Sequence, residues 1–315
     1  MTMSSLAGAQ DTWFRLLADT APVGLVICDI GHGPVRYANA HAAALLQQPL
    51  EGMLGTRLLT LLQNSCAPHD SGARLPPGVE PYNCEIPLQQ GDRAQPLWVG
   101  LHSSRFQAGE TQLQSVLLID VSKTRELADQ LNYQASHDSL TGLMNRREFE
   151  QRLHAVIEQA AIGGSDKVLC YLDLDQFKEV NDTCGHGAGD ELLRQLAVEL
   201  RGCMRPGATL ARLGGDEFAI LEHCPLDDAL HTANQVLRMV RDFRFVWQGS
   251  VFTIGISIGL TTILATDESL SEALRRADAA CYVAKEAGRN RLHMLRCDDP
   301  AWLQRYRRAS SSQAP

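Results

Sequence analysis

The chain has 315 residues, of which 44% are hydrophobic, and a formal net charge of −8. This length is enough for two globular domains, and the hydrophobic fraction excludes a disordered polymer. The acidic balance argues against broad binding to nucleic acid or to an anionic membrane surface, but it is compatible with a local phosphate site. No nucleic-acid partner is expected.

The nine cysteines are scattered singly and form no CxxC pair, which is typical of reduced thiols in a reducing compartment. Residues 1–10 lack a basic segment followed by an apolar run. No apolar stretch approaches the roughly 18–20 residues that span a bilayer. We therefore expect a cytoplasmic protein with no membrane span.

Residues 10–120 are predicted to form a first domain from short apolar runs between turn signals. Residues 66–81 are rich in proline and glycine and predict a loop. A short helical pattern surrounds Phe14, Leu16 and Leu17. Four strands are predicted after it: residues 23–28, 35–37, 97–101 and 113–119.

Residues 121–136 are predicted to form a charged linker helix. Leu127 and Leu131 lie four residues apart and define a narrow apolar stripe along it. Such a stripe is compatible with a solvated connecting helix and with a dimerising coiled coil, and the segment is too short to distinguish them.

Residues 137–297 alternate predicted strands and helices and form a second domain. The apolar run at residues 168–172 ends in Asp173, as a buried central strand would. Residues 252–258 alternate apolar with small or polar positions, which predicts a half-buried strand. Residues 298–315 are expected to fray. Helical patterns occupy three stretches: residues 192–200, 229–243 and 274–287.

Acidic side chains stand at two predicted strand ends. Asp173 follows an apolar run, and Asp216 and Glu217 follow Gly214-Gly215 between two further runs. Paired glycines permit the positive φ of a tight hairpin turn, which holds the acids at a strand junction. Carboxylates that converge at a sheet edge bind hard divalent cations, and Mg²⁺ is favoured where phosphates complete its coordination. The plainer alternatives are a solvated acidic hairpin tip and a strand-terminal cap.

Five ordered motifs resemble those of the GGDEF family of diguanylate cyclases. They are residues 137–147, 173–182, 185–190, 213–218 and, for the last motif, 277–278 with 284–291. The likeness covers about half of the chain. It implies an α+β fold in which a central, mostly antiparallel sheet is flanked by helices, as in the palm-like nucleotidyl cyclases. The implied reaction condenses two GTP molecules into cyclic di-GMP and two pyrophosphates.

The resemblance also implies roles for individual acidic residues. Asp173 and Asp216 would bind Mg²⁺, with Mn²⁺ as an alternative, and the Leu174 carbonyl would assist. Glu217 would help to deprotonate the attacking 3′-hydroxyl or would support a metal ion.

Further positions would bind the GTP substrate. Asn181 and Asp190 would recognise guanine, because a carboxylate accepts from the N1–H and N2–H edge that adenine lacks. Gln176 departs from the aromatic or histidine residue that is usual in the family, but only its backbone is needed. The phosphates would be bound by Lys285 and Arg289, four apart on a helix, and by the backbone around Gln176, Phe177 and Lys178.

A second departure concerns regulation by the product. Many family members carry an inhibitory product site, Arg-x-x-Asp, shortly before the signature glycines. This chain keeps Arg205 but has Ala208 at the acidic position. Without the carboxylate, the arginine is expected to lose its orientation and one guanine contact is lost. We therefore predict weak or absent product inhibition at this site.

The symmetry of the product implies a homodimer. One domain supplies one GTP half-site, so two domains must meet face to face. The further partners would be downstream receptors of cyclic di-GMP.

Residues 10–120 resemble a PAS sensor domain. The likeness rests on residues 21–24, 37–39 and 52–55, and on residues 120–122, which are similar to the motif that starts signalling helices. The sensor's ligand is unknown. Asn83-Cys84 lacks the continuation found in flavin photosensors, which disfavours a flavin adduct. Three histidines are candidate haem ligands, although a lone histidine is usually not one: His41, His69 and His102. A dimerisation module without a ligand is the alternative.

Two other functions compete with the cyclase. One is an inactive GTP-binding regulator or a cyclic di-GMP receptor. We would expect such a protein to be fused to a phosphodiesterase domain, and the sequence that surrounds the Glu-Ala-Leu motif in that domain is not found here. The other is a PAS interaction protein, which leaves the predicted metal and guanine positions unexplained.

Overall fold

The computed structural model describes residues 13, 15–66, 82–91, 95–161, 167–263 and 269–296, with only the backbone at 160–161. The chain divides into two compact units, Met1–Gln130 and Leu131–Pro315. Phe14, His69, most of the predicted loop at 66–81 and the tail at 298–315 lie outside the described residues. Within the described ranges, no helix combines the length and the apolar composition needed to cross a bilayer.

The first unit contains a five-stranded antiparallel sheet in the order β2-β1-β5-β4-β3. Its strands are β1 (Gly24–Asp29), β2 (Val35–Ala38), β3 (Asn83–Leu88), β4 (Leu97–Ala108) and β5 (Thr111–Asp120). Three short helices follow β2: α1 (Ala40–Leu46), α2 (Leu50–Met53) and α3 (Leu58–Ser65). The four predicted strands are confirmed, and β3 is an element that the sequence analysis missed.

Asn39 fixes the junction between β2 and α1. Its Oδ1 accepts hydrogen bonds from the backbone N–H groups of Ala42 and Leu25, both at 2.9 Å. Its Nδ2 donates to the carbonyls of Ala18 and Val23. The side chain therefore caps α1 and joins it to the start of β1, which explains why this polar residue is fully buried.

Among the described residues of the first unit, the buried histidine is His32, which the sequence analysis did not single out. It is 2% exposed, and its Nε2 lies 2.6 Å from the hydroxyl of Tyr82. Burial lowers the pKa of His32, so its neutral form is favoured. Among the two described haem candidates, His102 is exposed and His41 is half-buried.

Helix α4 (Ser122–Ser136) follows β5 directly and buries none of its residues. Its start is tied to the first unit, because Val121 N–H donates to the Trp98 carbonyl and Arg125 stacks 3.7 Å above the Trp98 ring. Leu127 and Leu131 of the predicted stripe are 50% and 65% exposed. Both interpretations of this stripe therefore stay open.

The second unit contains a six-stranded sheet in the order β13-β12-β7-β9-β8-β6 and a small hairpin, β10-β11. The strands are β6 (Met144–Asn145), β7 (Lys167–Asp175), β8 (Thr209–Gly214), β9 (Glu217–His223), β10 (Phe245–Trp247), β11 (Ser250–Phe252), β12 (Gly255–Ile263) and β13 (Leu292–Met294). The helices are α5 (Arg146–Ala161), α6 (Phe177–Cys184), α7 (His186–Gly202), α8 (Leu226–Asp242) and α9 (Leu270–Glu286). The sheet is antiparallel except at its two edge strands, which pair in parallel.

Helices cover both faces of this sheet. Apolar side chains of α7 and α8 pack on one face, and those of α5 and α9 pack on the other. The central strand β7 is therefore buried on both sides, as its continuous apolar run predicted. The mixed α+β architecture agrees with the fold class expected from the sequence.

The half-buried strand predicted over residues 252–258 is wrong in two respects. Phe252 belongs to the hairpin strand β11, where it pairs with Phe245, and β12 begins only at Gly255. Strand β12 is also buried on both faces rather than on one. Gly259, which continues the alternation, faces α9, since a Cβ atom there would collide with the Ala277 carbonyl and the Cys281 nitrogen. Glycine thus permits close packing where the alternation predicted solvent.

Candidate active site

The predicted acidic residues meet where β7 and β9 run side by side. Asp173 and Glu217 occupy paired register positions on these strands. The Leu174 N–H donates to the Asp216 carbonyl at 3.3 Å. Gly214 and Gly215 have φ values of 149° and 52°, which confirms the glycine turn that the sequence predicted. Two distant segments of sequence are therefore brought together by strand pairing.

Arg212 supports the signature turn, which is the turn formed by Gly214 and Gly215. Its Nε and Nη2 donate to the Gly215 carbonyl at 2.9 Å and 2.8 Å, and its Nη1 donates to Asp138 Oδ1 at 3.0 Å. Asp138 also accepts from the Thr141 N–H and hydroxyl. The sequence analysis missed Arg212, and its only signal was a charged residue inside an apolar strand.

Lys285 reaches the carboxylates from α9. Its Nζ lies 2.6 Å from Asp173 Oδ1. Burial raises the pKa of Asp173, with Asp216 and Glu217 adding to the rise, while the Lys285 contact counteracts it. Burial would lower the pKa of Lys285, but the hydrogen bond to Asp173 raises it above its ordinary value. The site thus concentrates negative charge that one lysine partly neutralises.

Two further ionisable groups border Glu217. Burial raises the pKa of the Tyr171 hydroxyl, and its hydrogen bond to Glu217 raises it further. Burial also raises the pKa of Asp278, and the charge of Glu217 adds to that effect. Glu217 therefore lies beside a phenol and near another acid.

The donor set suits a hard divalent cation only in part. Within the described ranges, no group of three or more His, Cys, Asp or Glu side chains is arranged to hold a metal ion. Asp173, Asp216 and the Leu174 carbonyl offer oxygen atoms alone, which are the ligands that Mg²⁺ prefers. Mg²⁺ sites commonly use one or two carboxylates and take their other ligands from phosphates and water. The residues present fit a cation that arrives with a nucleotide.

The two predicted guanine-binding residues lie on consecutive helices. Asn181 is on α6, and Asp190 is exposed near the start of α7. A Cβ atom at Gly189 would collide with Asn181 Oδ1. Gly189 therefore leaves the space in which the Asn181 amide lies beside the first turn of α7.

The predicted phosphate-binding residues occupy two places. Gln176 has a φ of 64° and is the single residue between β7 and α6, so the first N–H groups of that helix, at Phe177 and Lys178, lie close to the end of β7. The expectation that Lys285 and Arg289 share one helix is wrong, because α9 ends at Glu286 and Arg289 lies beyond it in a turn, with a φ of 58°. Lys285 is the predicted phosphate residue that contacts the carboxylates.

The segment expected to have lost an inhibitory site contains an ion pair. Arg205 Nη1 lies 2.8 Å from Asp228 Oδ2 in the first turn of α8. The expectation that Arg205 loses its orientation without an acid at Ala208 is therefore wrong, since a carboxylate from another element contacts it. Both partners are nearly half exposed, so the pair adds little stability.

Comparison with known proteins agrees with this geometry. A model of the family described as "Diguanylate cyclase, GGDEF domain" matches residues 135–291, and a PAS domain model matches residues 12–77. The probable diguanylate cyclase DgcE of Escherichia coli K12 is 42% identical over 180 residues, 56% of this chain and 16% of DgcE. The cyclic di-GMP phosphodiesterase PdeB of Shewanella oneidensis is 36% identical over 181 residues, 57% of this chain and 21% of PdeB.

A solved structure supports the same relationship. The coiled coil and GGDEF domain of DgcB from Caulobacter crescentus, crystallised with c-di-GMP, aligns with a TM-score of 0.53 and 31% identity. The alignment covers 56% of this chain and 93% of that one. The chain spans only 16% and 21% of the lengths of DgcE and PdeB. On the family match and on this structural relative, the chain belongs to the GGDEF diguanylate cyclase family and also carries a PAS domain.

Proposed function

We propose that the protein is a diguanylate cyclase that condenses two GTP molecules into cyclic di-GMP. The observation that carries the proposal is the convergence of Asp173, Asp216 and Glu217 beside Lys285. In each half-reaction, the 3′-hydroxyl oxygen of one GTP bonds to the α-phosphorus of the other. The bond between that α-phosphorus and the oxygen that bridges it to the β-phosphorus breaks, and pyrophosphate leaves.

The acidic residues have separate parts in this proposal. Asp173, Asp216 and the Leu174 carbonyl would hold Mg²⁺, or Mn²⁺ in its place. When bound, the cation would neutralise phosphate charge and polarise the α-phosphate. Glu217, which lies beside the Tyr171 hydroxyl, would accept the proton of the attacking 3′-hydroxyl or support the cation.

The remaining site residues would select and orient GTP. Asn181 and Asp190 would bind the N1–H and N2–H donors of guanine. Hypoxanthine lacks the N2 amino group, and adenine has neither of these two donors. Lys285 would exchange its contact with Asp173 for the substrate phosphates as the cation binds, so the site would keep its charge balance. Arg289 and the N–H groups around Gln176, Phe177 and Lys178 would complete the phosphate contacts.

The proposal extends to the organisation of the whole protein. Residues 10–120 would be the sensor domain, 121–136 the signalling helix and 137–297 the cyclase domain, followed by a tail at 298–315. Two copies would supply the two half-sites, so catalysis would need a homodimer. The protein would act in the cytoplasm, where receptors of cyclic di-GMP would use the product. The sensor's ligand would set the activity.

The second candidate is an inactive GTP-binding regulator or a cyclic di-GMP receptor. The observation that favours it is the 36% identity over 181 residues to a relative named as a phosphodiesterase. Under this alternative, the carboxylates would bind nucleotide without turnover.

Incubation of the purified chain with GTP and Mg²⁺, followed by mass spectrometry of the products, tests the proposal. We expect cyclic di-GMP and pyrophosphate, and we expect Asp216→Ala to abolish both while the fold is retained. Asp242→Ala, which removes an exposed acid from the end of α8, is the matched control and should leave turnover unchanged. GTP binding without product in a dimeric preparation would support the regulator instead.

A further inference from the structure

Asp175, the last residue of β7, makes two hydrogen bonds that the proposed chemistry does not use. Its side chain is buried, and the residue is 4% exposed. Oδ1 accepts from Ser257 Oγ at 2.8 Å, and Oδ2 accepts from the backbone N–H of Asn290 at 2.9 Å. A buried carboxylate persists where such bonds compensate its desolvation. This one joins the central strands to the turn after α9.

That turn has a backbone that needs support. Gly288, Arg289 and Asn290 have φ values of 115°, 58° and 48°. Two adjacent non-glycine residues in the left-handed region are disfavoured and persist only where their surroundings hold them. On one side, Arg289 N–H donates to the Ala284 carbonyl at 3.1 Å. On the other side, Asp175 holds the N–H of Asn290.

Strand β12 leaves room for this contact. A Cβ atom at Gly255 would lie 2.9 Å from Asp175 Oδ2 and 3.4 Å from the Asn290 Cβ. The backbone φ of Gly255 is not in the left-handed region, so close approach rather than backbone freedom explains a glycine there. Three separate segments are therefore shaped around one carboxylate.

We propose that Asp175 is a positioning residue for GTP binding. By holding the N–H of Asn290, it fixes the left-handed turn that presents Arg289 to the terminal phosphates of the nucleotide. This inference rests on the proposed GTP site and adds to it the residue that orients one of its cations. Asp175 itself contacts neither the substrate nor the metal ion.

A double-mutant cycle tests the connection. The probe is 3′-deoxy-GTP with Mg²⁺, which lacks the attacking hydroxyl and binds without turnover. We expect Asp175→Ala and Arg289→Ala each to weaken its binding by about tenfold, the loss typical of one charge-assisted contact. We expect the double variant to bind no more than about threefold worse than Arg289→Ala alone. Multiplication of the two losses would overturn the inference, because Asp175 would then act on something other than Arg289.

A conservative variant separates positioning from charge. In Asp175→Asn, the amide oxygen can accept from the N–H of Asn290 while the amide nitrogen donates to Ser257 Oγ. We expect this variant to recover binding of the probe to within about threefold of the unmodified chain. A loss in Asp175→Asn as large as in Asp175→Ala would show that the negative charge matters and would overturn a purely positioning role.

A third variant disturbs the contact between Asp175 and the N–H of Asn290 without removing the carboxylate. Gly255→Ala should push the Asp175 carboxylate away from Asn290 and weaken binding of the probe by about fivefold. Gly202→Ala is the matched control, because a Cβ atom there meets nothing within 4 Å. Equal binding by the two glycine variants, with both folded, would overturn the inference. If the unmodified chain does not bind the probe, the proposed function fails instead.

Discussion

Arg212 and Asp138 form an ion pair of 3.0 Å between residues that are 74 positions apart in the chain. The same guanidinium donates two hydrogen bonds to the Gly215 carbonyl, directly before Asp216. The pair is partly buried, with 12% and 22% of the two side chains exposed, so solvent screens it less than a surface pair. The opening motif of the second unit thereby supports the turn on which a proposed metal ligand lies.

We predict that Arg212→Gln lowers kcat of the proposed reaction by about 10–100-fold, a range typical of residues that orient metal ligands. The Gly215 carbonyl would lose its two donors, and Asp216 would no longer be fixed. GTP affinity should change less than kcat, since Arg212 contacts no predicted substrate-binding residue. Steady-state assays would measure both. Arg201→Gln, which removes a hydrogen bond to the Gly142 carbonyl, is the control, and equal losses in the two variants would contradict the prediction.

We predict that Gly189→Ala impairs guanine recognition. The added methyl group would displace the Asn181 amide, because the two groups cannot occupy the same space. KM for GTP should rise by about tenfold, and the preference for GTP over ITP should shrink. Competition assays with the two nucleotides would measure this preference. Gly202→Ala on the same helix is the control, and an unchanged preference in folded Gly189→Ala would refute the role of Asn181.

We predict that Glu222→Gln stabilises the second unit above neutral pH. Glu222 is 2% exposed, accepts one hydrogen bond from Thr232, and leaves Oε2 without a partner among the described residues. Burial raises the pKa of Glu222 above its ordinary value of 4.5. The contribution of protonated Glu222 to the free energy of unfolding is therefore fully present below pH 4.5. It is lost as the pH rises through the raised pKa of the folded protein.

Thermal unfolding at pH 5 and pH 8 would check this prediction. Glutamine keeps an acceptor for Thr232 and carries no charge, so Tm should rise by about 2–4 °C at pH 8 and by less at pH 5. Glu199→Gln, an exposed position on α7, serves as the control and should shift Tm at neither pH. A larger gain at pH 5 than at pH 8 would contradict the assigned direction of the pKa.

We predict weak product inhibition in the unmodified chain and stronger inhibition in Ala208→Asp. The new carboxylate would stand close to Arg205 and restore the acidic position of the family's inhibitory site. Because Asp228 contacts Arg205 at 2.8 Å, the effect should be larger in Ala208→Asp combined with Asp228→Asn. Progress curves with added cyclic di-GMP would measure it, with Asp228→Asn alone as the control. Stalling of the unmodified chain at low micromolar product would refute the prediction.

The elements that the sequence predicted well are those with a local pattern. The apolar run before Asp173 is buried on both faces, and the glycines of the signature turn have positive φ. Ordered motifs also identified the family, because they preserve the spacing of a whole site. Strand β3 was missed, since Pro87 and two polar residues interrupt its apolar pattern.

The contacts that the sequence did not predict are made between distant segments. Asp175 meets Asn290 across 115 positions, and nothing local in either segment marks the pairing. Arg205 pairs with a carboxylate in α8 rather than with one three residues downstream. An arginine whose local acidic partner is missing from the sequence thus has a partner in another element. Gly259 directly follows the alternation predicted at residues 252–258, and only the position of α9 shows why no side chain fits there.

The contact between Gly259 and the backbone of α9 also limits how the cyclase domain can be controlled. With no side chain between them, helix and strand pack backbone to backbone, which leaves little room for one to shift against the other. This packing therefore fixes where Lys285, in the last turn of that helix, lies relative to the sheet. A signal that changes the proposed activity would therefore not act by distorting the arrangement of α9 and the sheet within one half-site. In the proposed homodimer, the signal would instead change how often, and in which orientation, the two complete half-sites meet.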